Sequence, residues 1–370
     1  MRSTLTRTAS LGALTLAGAL ALTSCAGADS GSDSGSGSAD GADLSGEILF
    51  YDTSGGDVWE GLNDTLFADF TEQTGVTVVD DYNEASTKFF AGAQNGAVDW
   101  SLVFLPSLSD AQQAADEGYL ADIDTSIVPV DQLVEGTYSK TGIEVGTFGM
   151  VLAWNTDTWP LDGDHPENWE DLYDTAKFPG QRCLFNNPQY GWTLESALLA
   201  DGVAPDDLYP LDTDRALDKL GTIKDSVTWW SSGAQSIESF ENGSCDLGIV
   251  WANRAFTASQ NGFPISVSWD QAGYANSVWA IPADAPNPEA AQHLLKSVIE
   301  NTEGQIAFAS KVPTPIPASS TGVAVSDFPE DIQPFLPVGD NTKTAITLDA
   351  DYYKENNAAL TDQFNRWVAQ

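Results

Sequence analysis

Hydrophobic and polar positions alternate with two different periods along the first half of this chain. Short apolar runs at 48–51, 76–79 and 102–105 have the length and composition of buried strands. Between these runs, apolar residues recur at helical spacing in 58–73, and a shorter helical stretch covers 110–117. Strands that alternate with helices at this spacing predict βαβ units and a mainly parallel sheet.

The second half of the chain repeats the alternation. Strands are predicted at 184–185 and 247–251, and a helix is predicted at 194–199. Residues 145–154 form an apolar stretch that could cross from one half to the other, and 277–282 is typical of a return strand. The pattern therefore predicts two α/β lobes between which the chain crosses at least twice.

The first 24 residues have the pattern of a secretory signal peptide. A basic start precedes an apolar run at 11–21 that is too short to span a bilayer. Leu22, Thr23, Ser24 and Cys25 resemble the bacterial lipobox, in which the cysteine is acylated and becomes the first residue after cleavage. The alternative is a plain signal peptide with an incidental cysteine. After a lipidated Cys25, the Gly-, Ser-, Ala- and Asp-rich residues up to 46 predict a flexible tether.

Composition excludes some classes of function. The chain has 370 residues, which is enough for two domains, and a formal charge of −39 from 15 Lys and Arg against 54 Asp and Glu. So acidic a surface opposes nucleic-acid binding, which needs a basic patch. The two histidines lie near neither a nucleophile elbow nor a metal-ligand cluster, so no enzyme is expected. An exported hydrolase that uses an acid pair such as Asp80 and Asp81 stays a remote alternative.

Several short motifs occur in an order that is more specific than any one of them. They are Ile48-Leu49-Phe50-Tyr51 with Gly55-Gly56, Trp154-Asn155-Thr156-Asp157, Trp169-Glu170-Asp171-Leu172, Phe178-Pro179-Gly180, Trp229-Trp230, Trp251-Ala252-Asn253-Arg254 and Pro313-Thr314-Pro315. In this order they resemble the substrate-binding lipoproteins of ABC importers, in the group of the spermidine/putrescine-binding proteins. The resemblance covers the chain from Ile48 to its end.

The resemblance implies a type II periplasmic-binding-protein-like fold of α/β class, with two lobes and a hinge between them. Each lobe is expected to be a mainly parallel sheet flanked by helices. Lobe 1 would comprise 47–153 and about 277–345, and lobe 2 would comprise 154–276. A C-terminal helix at 346–370 would pack on the lobes.

The same resemblance implies a ligand cleft between the lobes, with aromatic walls that attract an organic cation and carboxylates that meet each ammonium group. The expected ligand-binding residues are Thr53, Ser54, Gly55, Ser107, Gln189, Trp192, Trp229, Trp251, Asn253, Arg254, Asp270 and Tyr274. Which of Trp229 and Trp230 faces the cleft is left open. Asp52 and Glu84 are further candidate acids.

Two features of the sequence bear on the charge of the ligand. Gln189 and Trp192 stand where the polyamine binders carry acids, and Arg254 would repel a diamine but pair with a carboxylate. The expected ligand is a small amine-bearing solute such as putrescine or spermidine. The alternative is a zwitterionic or carboxylate-bearing solute such as γ-aminobutyrate, an amino acid or an opine-like compound.

The predicted role is that of an exported receptor, lipid-anchored to the outer face of the bacterial cytoplasmic membrane. It would hand its ligand to the membrane permease of an ABC importer, as a monomer, with no cofactor and no metal. Once Cys25 is lipidated, Cys183 and Cys245 remain, and in an oxidising compartment they could form a disulfide. Two buried free thiols are the alternative.

Overall fold

The apolar runs of the sequence form a single mixed sheet. The structure is a computed structural model, and it describes residues 44–83, 85–189, 191–314 and 325–370. The strands are Glu47–Asp52 (β1), Thr77–Tyr82 (β2), Leu102–Leu105 (β3), Gly142–Asn155 (β4), Arg182–Phe185 (β5), Val227–Trp230 (β6), Leu247–Trp251 (β7), Ile265–Ala280 (β8) and Ile346–Thr347 (β9). The predicted signal peptide, Cys25 and the tether up to 43 lie outside the described residues.

Helices connect most of these strands. They are Gly56–Leu62 (α1), Ala68–Thr74 (α2), Thr87–Gln94 (α3), Leu108–Asp116 (α4), Trp169–Tyr173 (α5), Thr193–Ala200 (α6), Thr213–Gly221 (α7), Gly233–Glu241 (α8), Ala252–Gln260 (α9), Pro288–Glu300 (α10), Thr302–Lys311 (α11) and Ala350–Val368 (α12). Side chains cap several of them; Ser107, for example, accepts the Asp110 N–H at the start of α4. No helix in the described part of the chain is both long and apolar enough to cross a bilayer.

The strand order β2-β1-β3-β8-β4-β7-β5-β6, with β9 beside β8, confirms the predicted α/β class. On one side β1 pairs in parallel with β2 and β3, and on the other β5 pairs in parallel with β6 and β7. We call the half that contains β1, β2 and β3 lobe 1, and the half that contains β5, β6 and β7 lobe 2. The long antiparallel strands β4 and β8 join the two halves.

Each lobe buries apolar side chains on both faces of its part of the sheet. In lobe 1, Phe50 and Trp279 belong to the core on one face, and Tyr51 and Trp100 to the core on the other. In lobe 2 the sheet likewise lies between two cores, one with Leu184 and one with its neighbour Phe185. Residues next to each other in a strand point to opposite faces, so both faces must be covered by helices.

The strands that cross between the lobes change register at two points, one after Val145 and one after Met150. Between Val145 and Thr147 the β4–β8 pairing shifts by one residue, and the extra residue, Gly146, has φ +63°. This is a β-bulge at a glycine, which bends a strand locally. Next to it, the Thr147 hydroxyl donates to Asn276 Oδ1 at 2.7 Å, and the amide of Asn276 donates to Glu144.

The end of the chain packs mainly on lobe 2. Phe328, Ile332 and Phe335 lie in the same core as Val151 and Trp230. The expected division gave 277–345 to lobe 1, and this range contains core side chains of both lobes, since Leu294 and Phe308 lie in the core with Phe50. The division at 153 and 276 stays a prediction.

Cys183 and Cys245 form a disulfide, with their Cα atoms 5.5 Å apart. Cys183 lies in β5, and Cys245 lies just before β7, which pairs with β5. The bridge spans 62 residues of sequence, for which the loop-entropy model gives a stabilisation of about 4 kcal/mol. It ties together the two strands of lobe 2 whose carboxyl ends approach lobe 1.

Candidate functional site

The strand ends of the two lobes meet through two polar contacts. One contact joins the residues that follow β1 to those that follow β7, and the other joins the residues that follow β3 to those that follow β5. In α/β sheets, ligands bind at the carboxyl ends of the strands. We call the space between these contacts the cleft.

The first contact, which we call the ionic bridge, consists of Asp57, Arg254 and Thr257. Arg254 Nη1 lies 3.5 Å from Asp57 Oδ2, and the Thr257 hydroxyl donates to the same oxygen at 3.0 Å. Asp57 lies in the first turn of α1, and the other two residues lie one turn apart on α9. The ionic bridge is therefore a carboxylate of lobe 1 held by a guanidinium and a hydroxyl of lobe 2.

Arg254 is confined as well as charged. Its side chain is 18 % exposed, and its Nε is buried with no hydrogen-bond partner among the described residues. A Cβ on Gly233 would lie 2.6 Å from that Nε, so the glycine permits the close approach. Gly233 begins α8, whose N-terminus carries a partial positive charge. An anion would be favoured at this end of the cleft, because both groups attract negative charge.

The second contact, which we call the amide bridge, consists of Ser109, Gln189 and Asn357. Gln189 Nε2 donates to the Ser109 hydroxyl at 2.8 Å, and Asn357 Nδ2 donates to Gln189 Oε1 at 2.6 Å. Ser109 in turn lies 2.8 Å from the hydroxyl of Ser107. The amide bridge carries no net charge, and its third member comes from the C-terminal helix α12.

A small cavity adjoins the amide bridge between the lobes. Its lining includes Ser107, Ser109, Gln189, Ala275, Thr347 and Tyr353. The structure thus brings two predicted site residues, Ser107 and Gln189, to one place. It adds Thr347 and Tyr353 from the C-terminal segment.

The predicted loop at the end of β1 is fixed by a buried acid. Asp52 accepts hydrogen bonds from the backbone N–H groups of Ser54 and Gly55 and from the Ser54 hydroxyl. Thr53 donates to the carbonyl of Phe104 at 3.0 Å. Burial raises the pKa of Asp52, and these hydrogen bonds oppose the shift. Asp52 therefore shapes the loop and is not a solvated acid.

Asp80 lies in the neighbouring strand β2, opposite Phe50 of β1. Burial, followed by the charges of Asp52 and Asp81, raises the pKa of Asp80 to about 6. Asp80 Oδ1 is buried without a partner among the described residues. The carboxyl end of lobe 1 is thus locally acidic.

The tryptophans occupy three different environments. Trp251 is half-buried, with its ring centroid 5.4 Å from Phe185 and 5.3 Å from Trp230. Trp230 is buried, whereas Trp229 packs against Phe364 of α12 at 5.5 Å. The two adjacent tryptophans thus point to opposite faces of the sheet, and neither contacts a residue of the ionic or the amide bridge in the described contacts.

Trp192 and Asp270 lie away from both bridges. Trp192 is 0 % exposed, and its indole donates to the carbonyl of Gln271 at 3.2 Å, which leaves it no surface for a ligand in this conformation. Asp270 is exposed in the stretch of β8 where the pairing with β4 is interrupted. Glu84 lies outside the described residues.

Asn253 and Tyr274 are each tied to the protein by one group. The carbonyl of Asn253 lies 3.1 Å from the Thr257 hydroxyl, as an alternative acceptor to Asp57, while Asn253 Oδ1 is buried without a partner among the described residues. Tyr274 is half-buried, and its carbonyl accepts the Leu348 N–H. Ligand contact by the predicted residues stays a prediction.

Sequence reasoning missed Asp57, Thr257 and Asn357. Asp57 directly follows the Gly55-Gly56 motif, and Thr257 lies one helical turn beyond Arg254. Both residues would have been included if each motif had been read up to one helical turn further along the chain. Asn357 had no local signal, because its partner Gln189 lies 168 residues away.

A buried carboxyl supports the loop that carries Gln189. Glu195 is fully buried in α6, and its Oε1 accepts hydrogen bonds from Tyr209 at 2.9 Å and from Tyr353. Burial raises the pKa of Glu195 to about 7, although both hydroxyls favour the charged form. The carbonyl of Pro188 lies 3.1 Å from the same hydroxyl oxygen of Tyr353, as a second acceptor for its one hydrogen. Helix α12 is thereby tied to the residue before Gln189.

Comparison with known proteins yields one family. Residues 65–333 match the family described as bacterial extracellular solute-binding protein. The γ-aminobutyric acid-binding protein of Pseudomonas aeruginosa is 28% identical over 303 residues, which cover 80% of this chain and 83% of that protein. The spermidine/putrescine-binding periplasmic protein of Escherichia coli is 25% identical over 263 residues, 68% of this chain and 73% of that protein.

A solved structure agrees with these sequence matches. The Atu4243-GABA receptor superposes with a TM-score of 0.77 at 28% identity, over 88% of this chain and 98% of that one. Periplasmic binding proteins of this kind have two lobes, which is the arrangement expected here.

Proposed function

Because the chain belongs to the bacterial extracellular solute-binding protein family, we propose that it is the receptor of an ABC importer for a small solute with an amine and a carboxylate, such as γ-aminobutyrate. It would bind this solute in the cleft and deliver it to the membrane permease. The relatives are binding proteins and not enzymes, which supports a receptor that leaves its ligand unchanged.

The observation that carries the ligand class is Arg254. A guanidinium whose buried Nε has no partner among the described residues lies between the lobes, and it pairs with the Asp57 carboxylate of the opposite lobe. A ligand carboxylate could take bidentate hydrogen bonds from such a group, whereas an ammonium would be repelled. The relative that binds γ-aminobutyric acid supports the same class.

The amine end of such a ligand would lie toward the aromatic and acidic side of the cleft. Half-buried Trp251 offers a ring face, which attracts cations. Asp80 supplies negative charge at the end of lobe 1. These two features, with the spermidine/putrescine-binding relatives, favour the second candidate, a polyamine.

A matched pair of probes decides between the two candidates. γ-Aminobutyrate and putrescine share an amine at one end of a short alkyl chain, and differ in a carboxylate or an aminomethyl group at the other. Isothermal titration should give saturable one-to-one binding that is at least about tenfold tighter for γ-aminobutyrate, the size of one charge-assisted hydrogen bond. Tighter binding of putrescine would reject the carboxylate assignment, and ligand consumed during the titration would reject the receptor role.

The lipid anchor at Cys25 and the monomeric state belong to the proposal as well. Acylation with two or more chains holds a protein stably on a membrane, whereas one chain gives only marginal binding. A Cys25→Ser variant is therefore expected in the soluble fraction and the unaltered protein in the membrane fraction. Equal membrane retention of both would contradict the anchor.

A further inference from the structure

Helix α12 is anchored in lobe 2 along one face. Tyr353, Leu360 and Phe364 are buried in the core that contains Leu184. Near its end, the carbonyl of Trp367 accepts a hydrogen bond from Lys224 at 2.6 Å. Together with the Tyr353 hydroxyl, which lies within hydrogen-bond distance of Glu195 and of the Pro188 carbonyl, these contacts attach α12 to lobe 2 over most of its length.

Another face of α12 approaches lobe 1 at both ends of α4. Lys354 forms an ion pair with Asp116, the last residue of α4. Asn357 holds Gln189, whose amide reaches Ser109 in the first turn of α4. One helix of lobe 1 is therefore held at its start and at its end by groups that depend on α12.

The hydrogen bonds of Asn357 also determine which way Gln189 faces. The Thr361 hydroxyl donates to Asn357 Oδ1 at 3.2 Å, which directs Asn357 Nδ2 toward Gln189. Gln189 Oε1 then accepts from Asn357, so only its Nε2 is left to donate to Ser109. Without Asn357 the Gln189 side chain would lose the partner that orients it, and its bond to Ser109 would form less often.

We propose that α12 is a strap that holds the two lobes closed, and that Asn357 is the residue that positions Gln189 for this contact. A contact that forms only when the lobes are together shifts the equilibrium toward the closed form. The strap lies outside the residues that match the family, 65–333. The inference rests on a receptor whose lobes open and close, but not on the class of ligand.

The test measures the distance between the lobes in the full chain without ligand. Spin labels are attached at Glu72→Cys in lobe 1 and Glu241→Cys in lobe 2, both exposed positions on helices. Cys25→Ser removes the remaining thiol, since Cys183 and Cys245 are bonded to each other. Pulsed dipolar spectroscopy then gives the ratio of short to long distances.

Asn357→Ala should lower the closed-to-open ratio about two- to tenfold, the range expected for one hydrogen bond. Asn356→Ala is the matched control, because Asn356 is the same residue type on the same helix and its amide donates to the carbonyl of Tyr352 within that helix. It should leave the ratio unchanged. Circular dichroism checks that both variants keep their fold.

Lys354→Ala provides a second, exposed test that does not risk the core. It should lower the ratio about twofold at low salt and have no effect at 1 M salt, because exposed ion pairs are weak and screened. Arg366→Ala is its control, since Arg366 pairs with Asp362 within α12. Exchanging the charges, Lys354→Asp with Asp116→Lys, should restore the ratio.

Three results would contradict the proposal that α12 holds the lobes closed. The first is an unaltered distance ratio in both Asn357→Ala and Lys354→Ala. The second is an equal loss in Asn356→Ala. The third is a wild-type protein with the long distance only, because the contacts of α12 would then not form without ligand. None of these results depends on which solute binds, so a failure of the ligand assignment remains distinguishable.

Discussion

The two ends of the cleft are closed by different chemistry. The ionic bridge pairs Asp57 of lobe 1 with Arg254 and Thr257 of lobe 2. The amide bridge joins Ser109 and Gln189 through neutral groups, and Asn357 supports it from α12. One end holds an internal ion pair, whereas the other end carries no charge; in the proposed function, the carboxylate of the ligand replaces that of Asp57.

This difference suggests that one bridge contributes to ligand discrimination and the other to closing of the lobes. A charged group in a partly buried place discriminates between ligands of opposite charge, because an unmatched charge there is costly. A neutral hydrogen bond discriminates little, but it adds to closing whichever ligand is bound. We therefore expect changes at the ionic bridge to alter ligand preference, and changes at the amide bridge to alter stability and closing.

The largest effect is expected beneath the amide bridge, at Glu195. Because its pKa is raised from 4.5 to about 7 on folding, the folded protein binds this proton more tightly than the unfolded chain. The resulting stabilisation is fully present below pH 4.5 and is lost as the pH rises through 7. Between pH 5 and pH 8, wild type should lose on the order of 2 to 3 kcal/mol of unfolding free energy relative to Glu195→Gln.

Urea titrations at several pH values measure this difference. Asp52 and Asp80 also have raised pKa values, but both wild type and Glu195→Gln contain them. Their contributions to the pH dependence therefore cancel in the difference between the two proteins. Glu238→Gln, an exposed change on α8, serves as control and should follow wild type. Parallel pH profiles for wild type and Glu195→Gln would show that Glu195 does not hold the proton.

At the ionic bridge, Arg254→Met should weaken the binding of γ-aminobutyrate roughly 10- to 100-fold, the loss of a hydrogen bond to a charged group. The binding of putrescine should not weaken. Arg215→Met is the control, because Arg215 pairs with Asp201 on the surface of lobe 2. An equal loss for both ligands would mean that Arg254 supports the fold and does not select a carboxylate.

A smaller effect separates two tryptophans of lobe 2. Trp251→Ala should weaken ligand binding about tenfold, since a ring face contributes cation attraction as well as apolar contact. Trp229→Ala should lower the melting temperature with little change in affinity, because Trp229 packs against Phe364 and Trp367 of α12. If Trp229→Ala weakened ligand binding and Trp251→Ala lowered only the melting temperature, Trp229 would be the ligand contact and Trp251 the packing residue.

The smallest effect concerns the carboxylate that pairs with Arg254. Asp57→Asn should raise the affinity for γ-aminobutyrate about two- to fivefold, because an exposed ion pair contributes at most about 1 kcal/mol. It should lower the affinity for putrescine. Asp64→Asn is matched to it, since Asp64 pairs with Lys311 within lobe 1 at 3.1 Å. If Asp57→Asn and Asp64→Asn both raised the affinity for γ-aminobutyrate, the change in net charge alone would explain the effect.

Much of the fold followed from hydrophobic periodicity. The predicted runs 48–51, 76–79 and 102–105 lie within or overlap β1, β2 and β3, and 58–73 is helical through α1 and α2. The full length of β8 did not follow, because Gln271 and Asp270 interrupt its apolar pattern where the pairing with β4 breaks. Local patterns report burial, and this stretch is only partly buried.

Site residues that belong to a recognisable sequence motif could be predicted. Ser107, Gln189 and Arg254 were all named from the resemblance, and each takes part in a contact near the cleft. Trp192 was named as well, yet it is fully buried beneath β8. A tryptophan contributes to cores and to ligand walls alike, so its residue type does not distinguish them.

The sequence by itself determined the α/β class and the family, because these depend on periodicities and short motifs; that the strands of both lobes join in one mixed sheet was decided by the tertiary structure. Tertiary structure alone decided which charge faces Arg254 and which helix orients Gln189. Asp57 is separated from Arg254, and Asn357 from Gln189, by more than 160 residues of sequence. Such pairs form only once the crossing strands have brought the two lobes together.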